Sequence, residues 1–270
     1  MGKVKIKKKS TLIDMTAMSD VTVLLLTFFM LTSTFLKKEP TVVYTPSSVS
    51  EEAIPTSDIV TVLVSAMDLS DQSTLNEEGK IFLSFTGDSV MSNETLRGLV
   101  LDQALDIWNN LHKNNQIQLT ARERNNFMKT QMMGAPFLAL KQYLDLEPAK
   151  LDAEQMKLDS PTVGIPINDN KNKDGNLNDF QIWCKAISLV ANKGRQDKIA
   201  ELGLDESTPE GKQAIRDLNI LYNALYQGRG VSIKADKNTP FVTIHRVFDN
   251  LQTMGLNKFT LQTALKTESN

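Results

Sequence analysis

Residues 18–36 read MSDVTVLLLTFFMLTSTFL, an apolar run that contains one ionisable side chain, Asp20. As a helix these 19 residues would extend about 28 Å, which is long enough to cross the hydrocarbon core of a bilayer. We therefore predict a single-pass membrane protein whose transmembrane helix covers Met18–Leu36.

Asp20 is the candidate functional residue of this run. An ionised side chain within a span costs at least about 2.5 to 3.5 kcal/mol on insertion scales, so an intramembrane carboxylate indicates an ion or proton pathway. The alternative is an interfacial acid that caps the helix start, where the macrodipole favours negative charge. Thr27 and Thr34 lie on the same helical face as Asp20, which suits either a water-accessible pore or hydroxyls bonded back to their own helix. We interpret Asp14 as a surface acid or a cap.

The distribution of lysines predicts the orientation of the chain. Five lysines lie within the first nine residues, whereas only Lys37 and Lys38 follow the apolar run. The positive-inside rule therefore places residues 1–17 in the cytoplasm and the rest of the chain across the membrane. No A-x-A-like cleavage site follows the run and Asp20 interrupts its start, so we predict an uncleaved anchor.

Charge and motif content exclude several classes of function. Residues 1–38 hold seven Lys and two Asp, a net charge of +5, and because the whole chain carries −2, residues 39–270 carry −7. An acidic domain argues against nucleic acid as a partner. Cys184 is the only cysteine, so no intramolecular disulfide can form. No G-x-S-x-G or P-loop motif is present, and we expect neither an enzyme nor a bound cofactor.

The chain beyond the run divides into four predicted segments. Three prolines among threonines and serines make the first segment a flexible linker. The second and fourth segments form one α+β domain of mixed sheet and helices, and the third is a helical insertion rich in Asn, Gln, Lys and Met. These segments are 37–57, 58–112, 113–211 and 212–270.

The start of the α+β domain carries signals of two strands and a helix. Ile59–Met67 and Lys80–Phe85 are short and β-branched or aromatic, which predicts a hairpin. Ser92 then precedes apolar residues at helical spacing, which predicts an amphipathic helix that ends near His112.

The insertion carries two helical signals. Thr120 and Glu123 match a capping box, which predicts a helix that starts at Ala121 and breaks around Gly134 or Pro136. A second helix is predicted from an apolar stripe of Phe180, Trp183, Ile187 and Val190. We expect a helical lobe beside the sheet, whose Met and aromatic residues form either its own core or a binding surface. Replacing the whole insertion with a short linker should then leave the sheet intact.

The end of the chain predicts a β-α-β unit. A strand at Val231–Ala235, a helix that carries Val247 and a strand at Phe259–Leu265 usually mean parallel pairing through a right-handed crossover. Before this unit, Pro209 in a first-turn position predicts a helix that runs to about Gln227.

Four further patterns fit site motifs poorly. Asn170–Leu177 resembles the start of an EF-hand loop, but Gln181 stands where that loop needs a bidentate Glu. We interpret it as a polar turn before a helix, with calcium binding as the alternative. His112 and His245 lack ligand spacing, so no metal site is predicted. We interpret Cys184 as a small buried hydrophobe and not as a nucleophile.

Both ends of the chain resemble one family. The run Ile13–Val21 followed by Leu24–Met30 resembles the anchor of ExbD/TolR biopolymer-transport proteins, and Val231–Pro240, Val247–Leu251 and Gly255-Leu256 are similar to that family's last strand-helix-strand segment. The resemblance does not extend to the insertion.

The resemblance implies a function for the membrane anchor. It implies an ExbD-like motor subunit of the bacterial inner membrane, with Asp20 as proton carrier, Thr27 and Thr34 facing the pore, and the α+β domain in the periplasm. The implied partners are an ExbB-like pentameric channel, a TonB-like energy transducer and a second copy of the chain. Ala17 departs from the family, which usually has a proline shortly before the aspartate.

Two other functions stay open at this point. One is a membrane-anchored periplasmic scaffold or binding protein, in which the globular domain holds the function. The other is a Tol-type or stator-type motor subunit, which shares the aspartate.

Overall fold

A computed structural model describes two compact units, residues 1–38 and residues 39–270. We call them the first and the second unit. The described residues are 15–32, 39–41, 43–48, 55, 57–65, 79–87, 91–147, 150, 162–168 and 176–265.

The described part of the first unit is one helix, α1 (Met15–Thr32). It begins three residues before the predicted span, and positions 33–36 of that span lie outside the described residues. Nowhere in the described ranges does a helix combine the length and the apolar character needed to cross a membrane.

A four-stranded sheet organises the second unit. Its strands are β2 (Val60–Val64), β3 (Ile81–Phe85), β4 (Val231–Ala235) and β5 (Thr260–Leu261), in the order β3-β2-β4-β5. The predicted hairpin is confirmed, because β2 and β3 pair antiparallel. The predicted parallel β-α-β unit is also confirmed, since β4 and β5 pair parallel.

The predicted last strand, Phe259–Leu265, is in fact two short strands in different sheets. Its first part is β5, after which the Gln262 N–H donates to the Ile233 carbonyl at 2.8 Å. The chain then pairs as β6 (Ala264–Leu265) with β1 (Ser47–Ser48), in a separate parallel ladder. The predicted strand Phe259–Leu265 is therefore divided because its last residues pair with β1, a strand from the predicted linker.

Seven helices are described in the second unit, and several begin where the sequence predicts. Ser92 caps the first, because its Oγ accepts a hydrogen bond from the Thr95 N–H at 3.2 Å. Thr120 and Glu123 form the predicted capping box of the second. The seven are α2 (Asn93–Leu111), α3 (Ala121–Lys129), α4 (Phe137–Leu144), α5 (Asp179–Leu202), α6 (Pro209–Arg216), α7 (Leu221–Gln227) and α8 (Phe241–Thr253).

Helix α3 is shorter than predicted. It ends at Lys129 instead of continuing to Gly134 or Pro136. The reason is a tertiary contact, since Met133 exchanges two backbone hydrogen bonds of 2.7 Å with Leu83 at the edge of β3. An extended segment is required there.

The helix predicted from Pro209 to Gln227 is in fact two helices, α6 and α7. The Asn223 side-chain amide donates to the carbonyls of Ile215 in the last turn of α6 (2.6 Å) and of Leu218 in the break (2.8 Å). This buried amide therefore stabilises the break between α6 and α7.

The apolar side chains of the insertion share the main core and do not form the separate lobe that the sequence predicts. A column of stacked rings links the two parts. Ring centroids are 3.9 Å apart for His112 and Trp108, 4.8 Å for Trp108 and Phe137, 5.0 Å for Phe137 and Trp183, and 5.7 Å for Trp183 and Phe127. His112 and Trp108 belong to the first part of the α+β domain, and the other three rings belong to the insertion. The boundaries 113–211 remain a prediction.

An amide network also connects the insertion to α8. The Asn178 side chain donates to Asn250 Oδ1 at 2.8 Å and to Asn168 Oδ1 at 2.9 Å. Asn250 is buried and donates in turn to the Asn168 carbonyl at 3.0 Å. The buried member, Asn250, is thereby satisfied, and satisfied buried polar groups help to specify the arrangement of the elements that they join.

Candidate functional site

Asp20 lies inside helix α1 and not at its start. It is the sixth residue of the described helix, and the first turn of that helix holds no acidic residue. A capping side chain precedes the helix, and the effect of the macrodipole falls off within the first turn. The interpretation of Asp20 as an N-terminal cap is therefore wrong. Ala17 also lies within the helix.

The hydroxyl groups of α1 bond to their own helix. Thr27 Oγ1 donates to the Leu24 carbonyl at 3.0 Å, and Thr22 Oγ1 donates to the Ser19 carbonyl at 2.8 Å. Internally satisfied hydroxyls are compatible with apolar surroundings. For Thr27 this geometry favours the alternative in which the hydroxyl bonds back to its own helix. The Thr27 side chain is nevertheless exposed, on the same helical face as Asp20. Thr34 lies outside the described residues.

Most side chains of α1 are exposed. The carboxylate of Asp20 forms no hydrogen bond or ion pair with any described residue and is exposed. Eleven large apolar side chains of the helix are at least half exposed: Met15, Met18, Val21, Val23, Leu24, Leu25, Leu26, Phe28, Phe29, Met30 and Leu31. A helix that is apolar all round is normally buried in a protein core or in a membrane.

The EF-hand-like pattern gains no ligand from the residues that are described. Positions 170–175 lie outside them. Gln181 is fully buried, and its Oε1 accepts the Asn178 N–H at 3.2 Å in a capping box. Its side chain therefore serves the start of α5. The described ranges contain no group of three or more His, Cys, Asp or Glu side chains that could hold a metal ion.

The two histidines and the cysteine have structural contacts. His112 stacks on Trp108 and His245 Nδ1 lies 3.0 Å from Asp249 Oδ2, one turn along α8. Cys184 is buried, and its burial raises the pKa of the thiol to about 12. The thiolate needed for nucleophilic chemistry is therefore not formed at neutral pH.

Among the described acids of the second unit, Asp179 is the one whose pKa is raised. Burial raises the pKa of its carboxyl, whereas the hydrogen bond from the Phe137 N–H (2.8 Å) and the charge of His112 lower it. The carboxylate joins the first residues of α4 and α5, which gives it a structural role.

Sequence reasoning missed contacts between the predicted linker and the sheet. Lys234 Nζ lies 2.6 Å from Glu39 Oε2, and the Tyr44 N–H donates to Asp236 Oδ2 at 2.7 Å. The Lys237 N–H also donates to the Tyr44 carbonyl at 2.8 Å. The strand-like sequence Val42-Val43-Tyr44 is the local signal that could have indicated this docking.

Comparison with known proteins gives one match. A family model described as "Biopolymer transport protein ExbD/TolR" matches residues 7–266, nearly the whole chain. No curated protein and no solved structure matches the chain. The family match includes α1, the insertion and the β-α-β unit.

Proposed function

This chain belongs to the ExbD/TolR family of biopolymer-transport proteins, and we propose that it is a proton-driven motor subunit of the bacterial inner membrane. In this proposal α1 is part of a single membrane span, the N-terminus is cytoplasmic and the second unit is periplasmic. The subunit works as a homodimer with an ExbB-like pentameric channel and energises a TonB-like protein for outer-membrane transport.

The observation that carries the proposal is one carboxylate on a helix whose apolar side chains are exposed on all sides. These side chains require an apolar environment, which a bilayer or the helices of a channel would supply. A proton that crosses a membrane at 100 mV releases about 2.3 kcal/mol. A carboxyl group that is neutral in lipid and ionised near water can convert this energy into a change of position, and Asp20 is the group available for this role in α1.

The side chain of Asp20 can be tested at nearly constant volume. Asp20→Asn removes the titratable group, and we expect it to abolish proton-driven transport while membrane insertion and assembly with the channel stay unchanged. Transport of a TonB-dependent substrate measures the first effect, and co-purification with the channel subunit measures the second. Asp20→Glu keeps a titratable group and should retain part of the activity.

Two control variants test whether the effect of Asp20→Asn is specific to that carboxylate. Asp14→Asn removes an acid outside the predicted span and should leave transport unchanged. Thr27→Val removes a hydroxyl that is bonded within the helix, and we expect a smaller loss than for Asp20→Asn. Full transport by Asp20→Asn would overturn the motor proposal and favour the anchored scaffold.

The choice between a TonB-like and a Tol-like system depends on the periplasmic partner. Co-purification from membranes with the full chain as bait would identify that partner. Recovery of a TolA-type protein in place of a TonB-type protein would replace the outer-membrane transport proposal with the Tol-type alternative.

A further inference from the structure

Two segments of the insertion attach to the free edge of β3. Met133 exchanges backbone hydrogen bonds with Leu83, and the Ile165 N–H donates to the Ile81 carbonyl at 2.8 Å. The Gly164 N–H donates to the Gly134 carbonyl at 2.8 Å, which joins the two segments to each other. The insertion therefore extends the sheet at this edge.

This attachment brings apolar side chains of the insertion to the second face of the sheet. Successive residues of a strand point to opposite faces of the sheet. On β2, Val60, Val62 and Val64 point to the face that packs on the main core. On the other face, Leu63 and Phe82 form a small buried cluster with Met132 and Val163. Half of this cluster comes from the sheet and half from the insertion.

The linker lies against this small cluster. Val43 is partly buried and packs against this cluster. Around it the linker is held by the ion pair of Glu39 with Lys234, by the backbone bonds of Tyr44, and by the pairing of β1 with β6. Pro40 is also buried. The ion pair among these contacts is partly exposed.

We propose that the insertion completes a seat for the linker on the second face of the sheet and thereby controls how long the linker stays docked. We call the four side chains Leu63, Phe82, Met132 and Val163 the linker seat. The existence of the linker seat does not depend on the proposed motor function. The effect that release of the linker would have on transport does rest on that function. The first described contact of the linker is that of Glu39, three sequence positions after the predicted end of the span at Leu36.

Amide hydrogen exchange of the full chain in membranes measures docking directly. The Lys237 N–H bonds to the linker carbonyl of Tyr44, so its exchange reports the undocked fraction. Met132→Ser and Val163→Ser should each accelerate this exchange about fivefold, the change expected from weakening one apolar contact. Leu138→Ser is the matched control, because Leu138 is in the insertion but 72% exposed, and it should change nothing.

A linker-side variant keeps the test independent of folding. Val43→Ser changes only the linker and should give the same acceleration, and it should add little when combined with Val163→Ser. Exchange of β2 amides identifies any variant that unfolds. If Val43→Ser accelerates exchange and both insertion variants do not, the insertion has no part in the seat and the proposal is overturned.

Disulfide trapping distinguishes docking within one chain from exchange between copies. Ser47 and Ala264 are register partners in a parallel pair, so Ser47→Cys with Ala264→Cys lies within disulfide reach. Cys184 is buried and should not compete. A monomeric cross-linked product is expected, and a dimeric product would overturn a seat within the same chain.

The same double-cysteine variant tests the consequence for the motor. If release of the linker is part of the working cycle, oxidation should block transport and reduction should restore it. Transport that persists in the oxidised monomer would overturn that consequence. The hydrogen-exchange result stays valid in either case, and Asp20→Asn tests the motor function separately.

Discussion

Helix α1 and the core of the second unit are built from similar apolar residues in opposite settings. Leu24 of α1 is 60% exposed, whereas Leu101 of α2 and Trp183 of α5 are fully buried. The second unit folds around its own apolar side chains, whereas the large apolar side chains of α1 stay exposed. The difference teaches that the second unit is stabilised by its own packing, whereas α1 carries the exposed apolar surface on which the proposed membrane role rests. Four predictions test this division, from the largest expected effect to the smallest.

Removal of the insertion should break the second unit. Replacing residues 113–211 with a Gly-Ser linker deletes Trp183, Phe127 and Phe137 from the shared core, so we expect loss of the full free energy of unfolding, typically about 5–15 kcal/mol for a domain. Circular dichroism with thermal unfolding measures the effect. A cooperative transition in the shortened chain would instead support the separate lobe predicted from sequence.

A single aromatic truncation should separate the two regions. Trp183→Ala removes the ring between Phe127 and Phe137 and should lower the free energy of unfolding of the second unit by about 3–5 kcal/mol. Leu24→Ala in α1 should change the same transition by less than about 0.5 kcal/mol. Denaturant titration measures both variants, and equal effects would contradict the division.

The close approach of the insertion to the sheet depends on a missing side chain. A Cβ added at Gly134 would lie 2.0 Å from Cδ1 of Phe82, so Gly134→Ala should destabilise the second unit by about 1–3 kcal/mol. Gly203 has open space around it and a φ of +61°, so Gly203→Asn should cost only a few tenths of a kcal/mol, to order of magnitude. Similar losses in the two variants would show that packing on Phe82 is not the cause.

The smallest effect concerns pH. Burial raises the pKa of Asp179 above its ordinary 3.8, so the folded state binds this proton more tightly than the unfolded state. The second unit should therefore lose stability relative to Asp179→Asn as the pH rises from 3.8 through the folded pKa, and the difference should be constant above it. Unfolding free energies of both proteins across this range measure the difference. A difference that grows in the opposite direction would mean that the bond from Phe137 outweighs burial.

Local signals predicted the elements of the second unit that are set by neighbouring residues. The cap at Ser92, the capping box at Thr120 and the pairing of β4 with β5 all depend on short-range patterns, and all are present. The break stabilised by Asn223 and the end of α3 depend on partners farther away in space, which residue spacing does not encode. For the candidate site, the sequence supplied Asp20, and the structure added that Asp20 is not a cap and that the Thr27 hydroxyl bonds to its own helix.

Of the features of the second unit, the docking of the linker on the sheet is the one that the sequence indicates most weakly. Glu39 and Lys234 are separated by 195 positions, and neither belongs to a motif. The same holds for the contacts of Met133 with Leu83, which turn a predicted lobe into part of the core. Long-range contacts of this kind determine whether an insertion forms a separate lobe or joins the main core, and they are visible only in the folded chain.

The aromatic column gives the protein an optical signal at an informative position. The chain has two tryptophans, and both lie in the column, one on each side of Phe137. Trp183 is fully buried and its indole N–H has no hydrogen-bond partner among the described residues, which favours blue-shifted emission, whereas the Trp108 N–H donates to the Asn115 carbonyl at 3.2 Å. Intrinsic fluorescence of the unmodified chain therefore reports the contact between the insertion and the first part of the α+β domain, without a label.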